Sequence, residues 1–311
     1  MKTLAYILIW FITNSIVAQA IITSEDILIM NDSIKLPGTL TYDANLKTQP
    51  LVIFVHGSGN VDRNGNQITV NIKGNYIKQL ADRLNQRGIA FYRFDKRTAT
   101  QENLKFIKDD MRFEYFVDDI KLAINKFKDD HRFSTITLIG HSQGSLVAML
   151  ASEEHIDKYI SIAGIGEGMD TFIINSYKQV SEDMSNLARE QIEELKHTGK
   201  IVNVDPSLAH LFSEPNQSFF LSWMKYNPSE EIKKMKIRTL ILNGTKDLQV
   251  LEEEAEKLHK ANPKSRLVLI KDMNHVLKHI EKDEDNVKSY FSPDYPLSEA
   301  LIKSIDVFIK Q

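Results

Sequence analysis

Short apolar runs alternate with amphipathic stretches along most of the chain, which is the pattern of strands and helices taking turns. Asp26 to Met30 and Ile34 to Tyr42 read as an opening antiparallel pair around the turn at Asn31 and Asp32. Leu51 to Val55 is a continuous apolar run, as a strand buried on both faces requires. Residues 75–87 place Ile77, Leu80, Ala81 and Leu84 on one helical face, and Gly88 closes that helix. Ile89 to Phe94 is the next strand, and residues 111–128 form a helix with Phe113, Phe116, Val117, Ile120, Ile124 and Phe127 on one face. Further strands follow at 135–139 and at Lys158 to Ala163. Between about 165 and 230 the alternation breaks: Met184, Leu187, Ala188, Ile192 and Leu195 recur at helical spacing, and Phe219, Phe220, Trp223 and Tyr226 make an aromatic patch. The rhythm resumes with the strand Arg238 to Leu242, the helix 251–260, the strand Arg266 to Ile270 and a closing helix starting at Pro296 and burying Leu297, Leu301, Ile305 and Phe308.

Strands alternating with helices predict an α/β fold built on a mostly parallel, doubly wound sheet. The interruption predicts an inserted helical cap at 165–230, with 21–164 and 231–311 forming the core. No internal repeat or low-complexity tract is present.

The first twenty residues read differently. Met1 and Lys2 give a short positive start, Leu4 to Val17 is strongly apolar, and Ala18-Gln19-Ala20 supplies an A-x-A pattern. This predicts a secretory signal peptide at 1–20 cut after Ala20, and hence an exported protein, periplasmic or secreted, with no membrane span once it is removed. A retained anchor and a buried N-terminal helix are the alternatives, and the shortness of the apolar run favours cleavage.

Composition adds little to the pattern but excludes several functions. The 311 residues are 42% apolar and 26% charged, enough for an ordinary globular core. A formal net charge of −3 and the lack of a basic stripe give no case for nucleic acid. There is no cysteine, so stability rests on core burial without disulfides, and no thiolate zinc site exists. The nine histidines include no H-E-x-x-H spacing.

The candidate chemistry begins at Gly140-His141-Ser142-Gln143-Gly144, directly after the strand 135–139 and before the small, apolar stretch Ser145 to Ser152. Strand, G-x-S-x-G and helix occur in the order of a nucleophile elbow, which makes Ser142 the candidate nucleophile. A serine hydroxyl needs a base to take its proton and an acid to orient the base. Asp247 follows the strand 238–242, and His275 follows the strand 266–270, so both fall in loops at strand ends, where active-site groups collect. The run Glu252 to Glu254 is the rival acid, read as the solvated first turn of the next helix. His279 is the rival base, placed farther along the loop, and His141 reads as packing or pocket lining. Two backbone N–H groups must stabilise a developing oxyanion. Gln143, after the serine, supplies one, and Ser58 in His56-Gly57-Ser58-Gly59 supplies the other. Asp95, Lys96 and Arg97 follow a sheet strand and have three readings: they hold the glycine-rich loop, they meet an anionic substrate group, or they form a structural ion pair.

With these residues in hand, nearly all of the chain after residue 20 resembles the α/β-hydrolase superfamily, and more narrowly its bacterial serine esterase and serine-aminopeptidase-like branch. The matching stretches are His56 to Gly59 with Asp62-Arg63-Asn64-Gly65, Tyr92 to Arg97, Gly140 to Gly144, Asn243 to Asp247, and Asn274-His275. The resemblance implies Ser142, Asp247 and His275 as the catalytic triad, with Ser58 and Gln143 at the oxyanion hole. Gln143 stands where many relatives carry Leu or Met, a change that bears on specificity rather than on the backbone donor. The expected reaction is hydrolysis of a small-molecule carboxylic ester through an acyl-enzyme, with no cofactor or metal and with the aromatic cap forming an apolar pocket for a small acyl or aryl ester. The alternatives are an aminopeptidase-like or amide hydrolase, with Glu167 and Asp170 anchoring a free amino group, and a non-catalytic binding module on the same fold. Oligomeric state is not legible in the sequence.

Overall fold

A computed structural model describes residues 20–107, 111–152 and 155–311. The predicted leader at 1–20 therefore lies, apart from Ala20, outside the described residues. Eight strands form one sheet in the order β1-β2-β4-β3-β5-β6-β7-β8. They are β1 (Ile22–Asn31), β2 (Ile34–Asp43), β3 (Gln49–Val55), β4 (Ala90–Phe94), β5 (Phe133–His141), β6 (Lys158–Ile162), β7 (Arg238–Gly244) and β8 (Arg266–Ile270). The pairs β1–β2 and β2–β4 are antiparallel and every other pair is parallel, so the opening hairpin caps one edge of a doubly wound parallel sheet.

The chain leaves β3 for β4 on one side and returns to β5 on the other. That reversal opens a crevice beyond the carboxyl ends of β3 and β5, where doubly wound sheets bind their ligands.

Helices cover both faces. The helix α1 (Tyr76–Asn85) and the last helix, α10 (Glu299–Lys310), pack Ile77, Leu80, Leu84, Leu301, Ile305 and Phe308 onto one face. On the other face lie α2 (Glu114–Phe127) and α3 (Gln143–Ala151). The hydrophobic stripe of α2 is the one read from its 3.6-residue period: Phe116, Val117, Ile120, Ile124 and Phe127 are all buried. The closing helix starts later than expected. Its N-cap is Ser298, whose hydroxyl accepts from the Leu301 N–H, and Pro296 lies before it.

Between β6 and β7 the chain forms five helices: α4 (Met169–Lys178), α5 (Glu182–Thr198), α6 (Ala209–Phe212), α7 (Glu214–Trp223) and α8 (Pro228–Lys234). Most of the aromatic patch of α7 packs into the core, and Trp223 also borders a small cavity next to Ser142. Phe113 stacks on Trp223 with ring centroids 5.2 Å apart, and Phe219 meets Phe116 edge-on at 5.8 Å. These rings join the larger hydrophobic core and pin the segment to the start of α2. The run at Glu252 is also less solvated than expected. It opens α9 (Glu252–Ala261), but the Glu254 carboxylate is buried, accepting from the Gly166 N–H at 2.8 Å and from Lys257 at 2.6 Å. No helix among the described residues is long and apolar enough to cross a membrane.

Candidate active site

Ser142 stands between the end of β5 and the first turn of α3, with φ 54° and ψ −123°. That is a left-handed backbone forced on a residue with a Cβ, a conformation costing about 1–3 kcal/mol that the surroundings must impose. They impose it by crowding. A Cβ at Gly140 would lie 2.4 Å from the Gly144 carbonyl, and one at Gly144 would lie 2.2 Å from the Val55 carbonyl and 2.5 Å from that of His56. Glycine at both flanks thus lets the turn close on itself and press against the end of β3. The strained turn also brings the elbow beside the loop after β3, since a Cβ at Gly57 would be only 3.1 Å from Ser142 Cβ.

Asp247 and His275 arrive from two neighbouring loops. The loops are stitched together by the Lys246 N–H donating to the Met273 carbonyl at 2.9 Å. His275 Nδ1 lies 2.8 Å from Asp247 Oδ2, and both side chains are buried. The other carboxylate oxygen accepts from the Gln249 and Val250 N–H groups at 2.8 and 3.0 Å, which holds the acid rigidly. A carboxylate only accepts, so Nδ1 carries a proton and points at Asp247, and Nε2 is the ring nitrogen left free of that bond. Asn274 braces the loop that carries His275: its oxygen accepts from the Lys278 N–H, and its amide donates to Asn286 Oδ1 and Ser289 Oγ.

Ser142 and His275 line one cavity of 340 Å³ at the switch point, together with Gly57, Ser58, Gln67, Tyr76, His141, Gln249 and Tyr290 among others. The Ser142 hydroxyl makes no hydrogen bond among the described residues. His141 lines the cavity, but its Nε2 donates to the His275 carbonyl at 2.8 Å, so it braces the loop that carries His275. Burial pushes His141 down to about 3 and His56 down to about 4, and both are neutral at pH 7. The rival base His279 lies outside this cavity, and the rival Glu254 is committed to Gly166 and Lys257.

The stretch Asp95 to Arg97 faces the loops rather than the cavity. Asp95 takes a two-point bond from Arg63, and Arg97 makes the same bond to Asp119. Lys96 lies between them, buried, under the loop after β3. Its ammonium donates to the Gly57 carbonyl at 2.8 Å and to Gln143 Oε1 at 2.7 Å, and sits 4.2 Å from the centre of the Phe116 ring. With no carboxylate bonded to it, desolvation dominates and pushes Lys96 down to about 7. One side chain therefore ties together the two segments that carry Ser58 and Gln143. Sequence reasoning found this residue but had no way to select among its readings, because both partners are more than 35 positions away. Gln67, Tyr76, Gln249 and Tyr290, which build the cavity wall, carried no signal in the sequence at all.

The carboxylates considered as anchors for an amino group are neutralised. Glu167 accepts from Lys257 at 2.7 Å and from Asn175 at 2.9 Å, and Asp170 from Lys196 at 2.7 Å. Among the described residues no cluster of three or more His, Asp or Glu side chains is placed to hold a metal ion.

Residues 70–202 match the family model described as Hydrolase_4, serine aminopeptidase, S33. No curated protein matches. Solved structures of similar fold include Est1E from Butyrivibrio proteoclasticus, 18% identical with a TM-score of 0.57, covering 92% of this chain and 99% of that one. The Pyrococcus furiosus esterase Pf2001 is 18% identical with a TM-score of 0.56, covering 93% and 92%. A bromoperoxidase from Bacillus anthracis is 15% identical with a TM-score of 0.55, covering 92% and 100%.

Proposed function

We propose that this member of the α/β-hydrolase superfamily is a serine carboxylesterase in which Ser142, His275 and Asp247 act as nucleophile, base and orienting acid. The observation that carries the reading is the 2.8 Å bond from His275 Nδ1 to Asp247, which leaves Nε2 for the cavity that Ser142 also lines. Nε2 takes the hydroxyl proton as Ser142 Oγ attacks the ester carbonyl. The alkoxy group leaves with that proton as free alcohol, and the acyl group stays on Oγ. Water, deprotonated by the same nitrogen, then releases the carboxylic acid and restores Ser142. The carbonyl oxygen, negative in each tetrahedral intermediate, rests on the Ser58 and Gln143 N–H groups. Export to the periplasm or medium belongs to the same reading and rests on the leader pattern of residues 1–20.

Lys96 aims the first of those donors. The Gly57 carbonyl and the Ser58 N–H belong to one peptide unit, no peptide bond described here is cis, and in a trans peptide the two groups point opposite ways. The ammonium on the carbonyl therefore turns the N–H toward the cavity and polarises it. Lys96→Met is expected to lower kcat by about 100-fold with little change in KM, because the donor is needed most when the charge develops. Steady-state kinetics on nitrophenyl acetate measures this, and an unchanged kcat in folded protein removes Lys96 from the oxyanion hole.

The test of the reading as a whole compares substrates. Nitrophenyl esters are expected to be cleaved faster than aminoacyl nitroanilides of similar size, and a fluorophosphonate to label Ser142. Preferred cleavage of the anilides makes the protein an amidase or aminopeptidase with the same residues. Failure of folded protein to be labelled leaves only a binding module.

A further inference from the structure

Resting on the esterase reading, we propose that the substrate is an acetyl ester of an uncharged, hydroxyl-rich alcohol, such as an acetylated sugar. Ser142 stands between two cavities of unequal size, of which the larger carries more hydrogen-bonding side chains. One, beyond Gln143, is walled by Leu146, Ile165, Met169, Trp223 and Pro228 and has a volume of 10 Å³. That is room for about one water-sized group, hence for one methyl. The other is the 340 Å³ cavity that contains His275.

The reaction decides which half of the ester enters which cavity. The leaving oxygen must take its proton from His275, so the alcohol lies on the histidine side, in the large cavity. Ser142 Oγ and the oxyanion occupy two further directions around the carbonyl carbon. The acyl chain takes the remaining one, toward the small apolar cavity.

The chemistry of each wall agrees with this division. Side chains at the small cavity are apolar apart from Gln143, held by Lys96, Glu167, held by Lys257 and Asn175, and Ser142 itself. The large cavity mixes the apolar side chains of Val61, Ile72 and Val276 with the amides of Gln67 and Gln249 and the phenols of Tyr76 and Tyr290, and has no Lys, Arg, Asp or Glu. The Gln67 amide has no protein partner among the described residues, and Gln249 is already aligned by donating to the Tyr290 hydroxyl at 3.2 Å. Neutral amides and phenols pair well with hydroxyl groups. They offer no charge to neutralise a phosphate.

The test has two arms, both on the purified full-length protein. In the acyl arm, kcat/KM on nitrophenyl acetate is expected to exceed that on the hexanoate by about 100-fold, since forcing methylenes into a filled site is costly. Met169→Ala, which enlarges the small cavity, is expected to raise the butyrate-to-acetate ratio about 10-fold. In the alcohol arm, an acetylated methyl glucoside is expected to be a better substrate than ethyl acetate. Gln67→Leu is expected to lower kcat/KM on the glucoside more than on nitrophenyl acetate. Hexanoyl or feruloyl esters cleaved as fast as the acetate overturn the proposal while leaving the esterase reading intact, and so does indifference between the glucoside and ethyl acetate. A folded protein that cleaves no ester and takes no fluorophosphonate label overturns both.

Discussion

Ser142→Ala is expected to lower kcat on nitrophenyl acetate by about a million-fold, the scale seen when the nucleophile of a serine hydrolase is removed. The substitution is unusually clean here. Alanine keeps the Cβ, so the φ of 54° is no more strained than before, and the hydroxyl it deletes has no hydrogen-bond partner among the described residues. Gly140 and Gly144, which impose the turn, are untouched. The urea midpoint should therefore stay near that of the parent, and labelling by a fluorophosphonate should disappear. Activity persisting in the variant, once contaminating parent protein is excluded by mass spectrometry, refutes Ser142 as nucleophile.

Asp247→Asn is expected to cost about 10⁴-fold in kcat with KM nearly unchanged. The cause lies in how the surroundings orient the new amide. Asp247 Oδ1 accepts from the Gln249 and Val250 N–H groups, so the asparagine must place its carbonyl oxygen there. Its NH₂ group then faces His275 Nδ1, at the position where Oδ2 accepts from it now. A donor at that position moves the ring proton to Nε2, the atom that has to receive the proton of Ser142. The ring stays in place and the base is switched off. A loss below about tenfold means the carboxylate does not set the histidine tautomer, and the assignment of Asp247 fails.

The readability of the site follows the range of the forces that build it. The elbow, the acid and the base each sit just after an apolar run, and the apolar run is a local signal. Ser142, Asp247 and His275, the residues proposed for catalysis, could thus be picked out from local pattern, and the structure places Asp247 beside His275 and puts Ser142 and His275 on one cavity. The same holds for α2, whose buried face repeats every third or fourth residue from Phe116 to Phe127. What periodicity does not carry is the identity of the partner. Phe219, Phe220 and Trp223 recur at helical spacing, which says that they are buried on one face of a helix but not that Phe113 and Phe116 cover them. Of the three, only Trp223 also reaches a cavity beside Ser142, while Phe219 and Phe220 pack into the core. Glu254 was missed for the same reason, because its partner Gly166 lies 88 positions away. The start of α10 slipped by two or three residues because proline and serine both signal helix entry, and only the hydroxyl bond to Leu301 selects Ser298.

The amino-acid sequence by itself determined the doubly wound architecture and the three residues proposed for catalysis, since strand ends, turn glycines and helical stripes are written in neighbouring residues. Only the tertiary structure decided how those residues are held and what the site admits. The bond between Asp247 and His275 spans 28 positions, and the clamp of Lys96 on Gly57 and Gln143 spans 39 and 47. The two cavities on either side of Ser142 draw their walls from segments scattered between Gly57 and Tyr290. Contacts at such separations arise from how whole elements pack, and the shape left between packed elements has no local pattern to announce it.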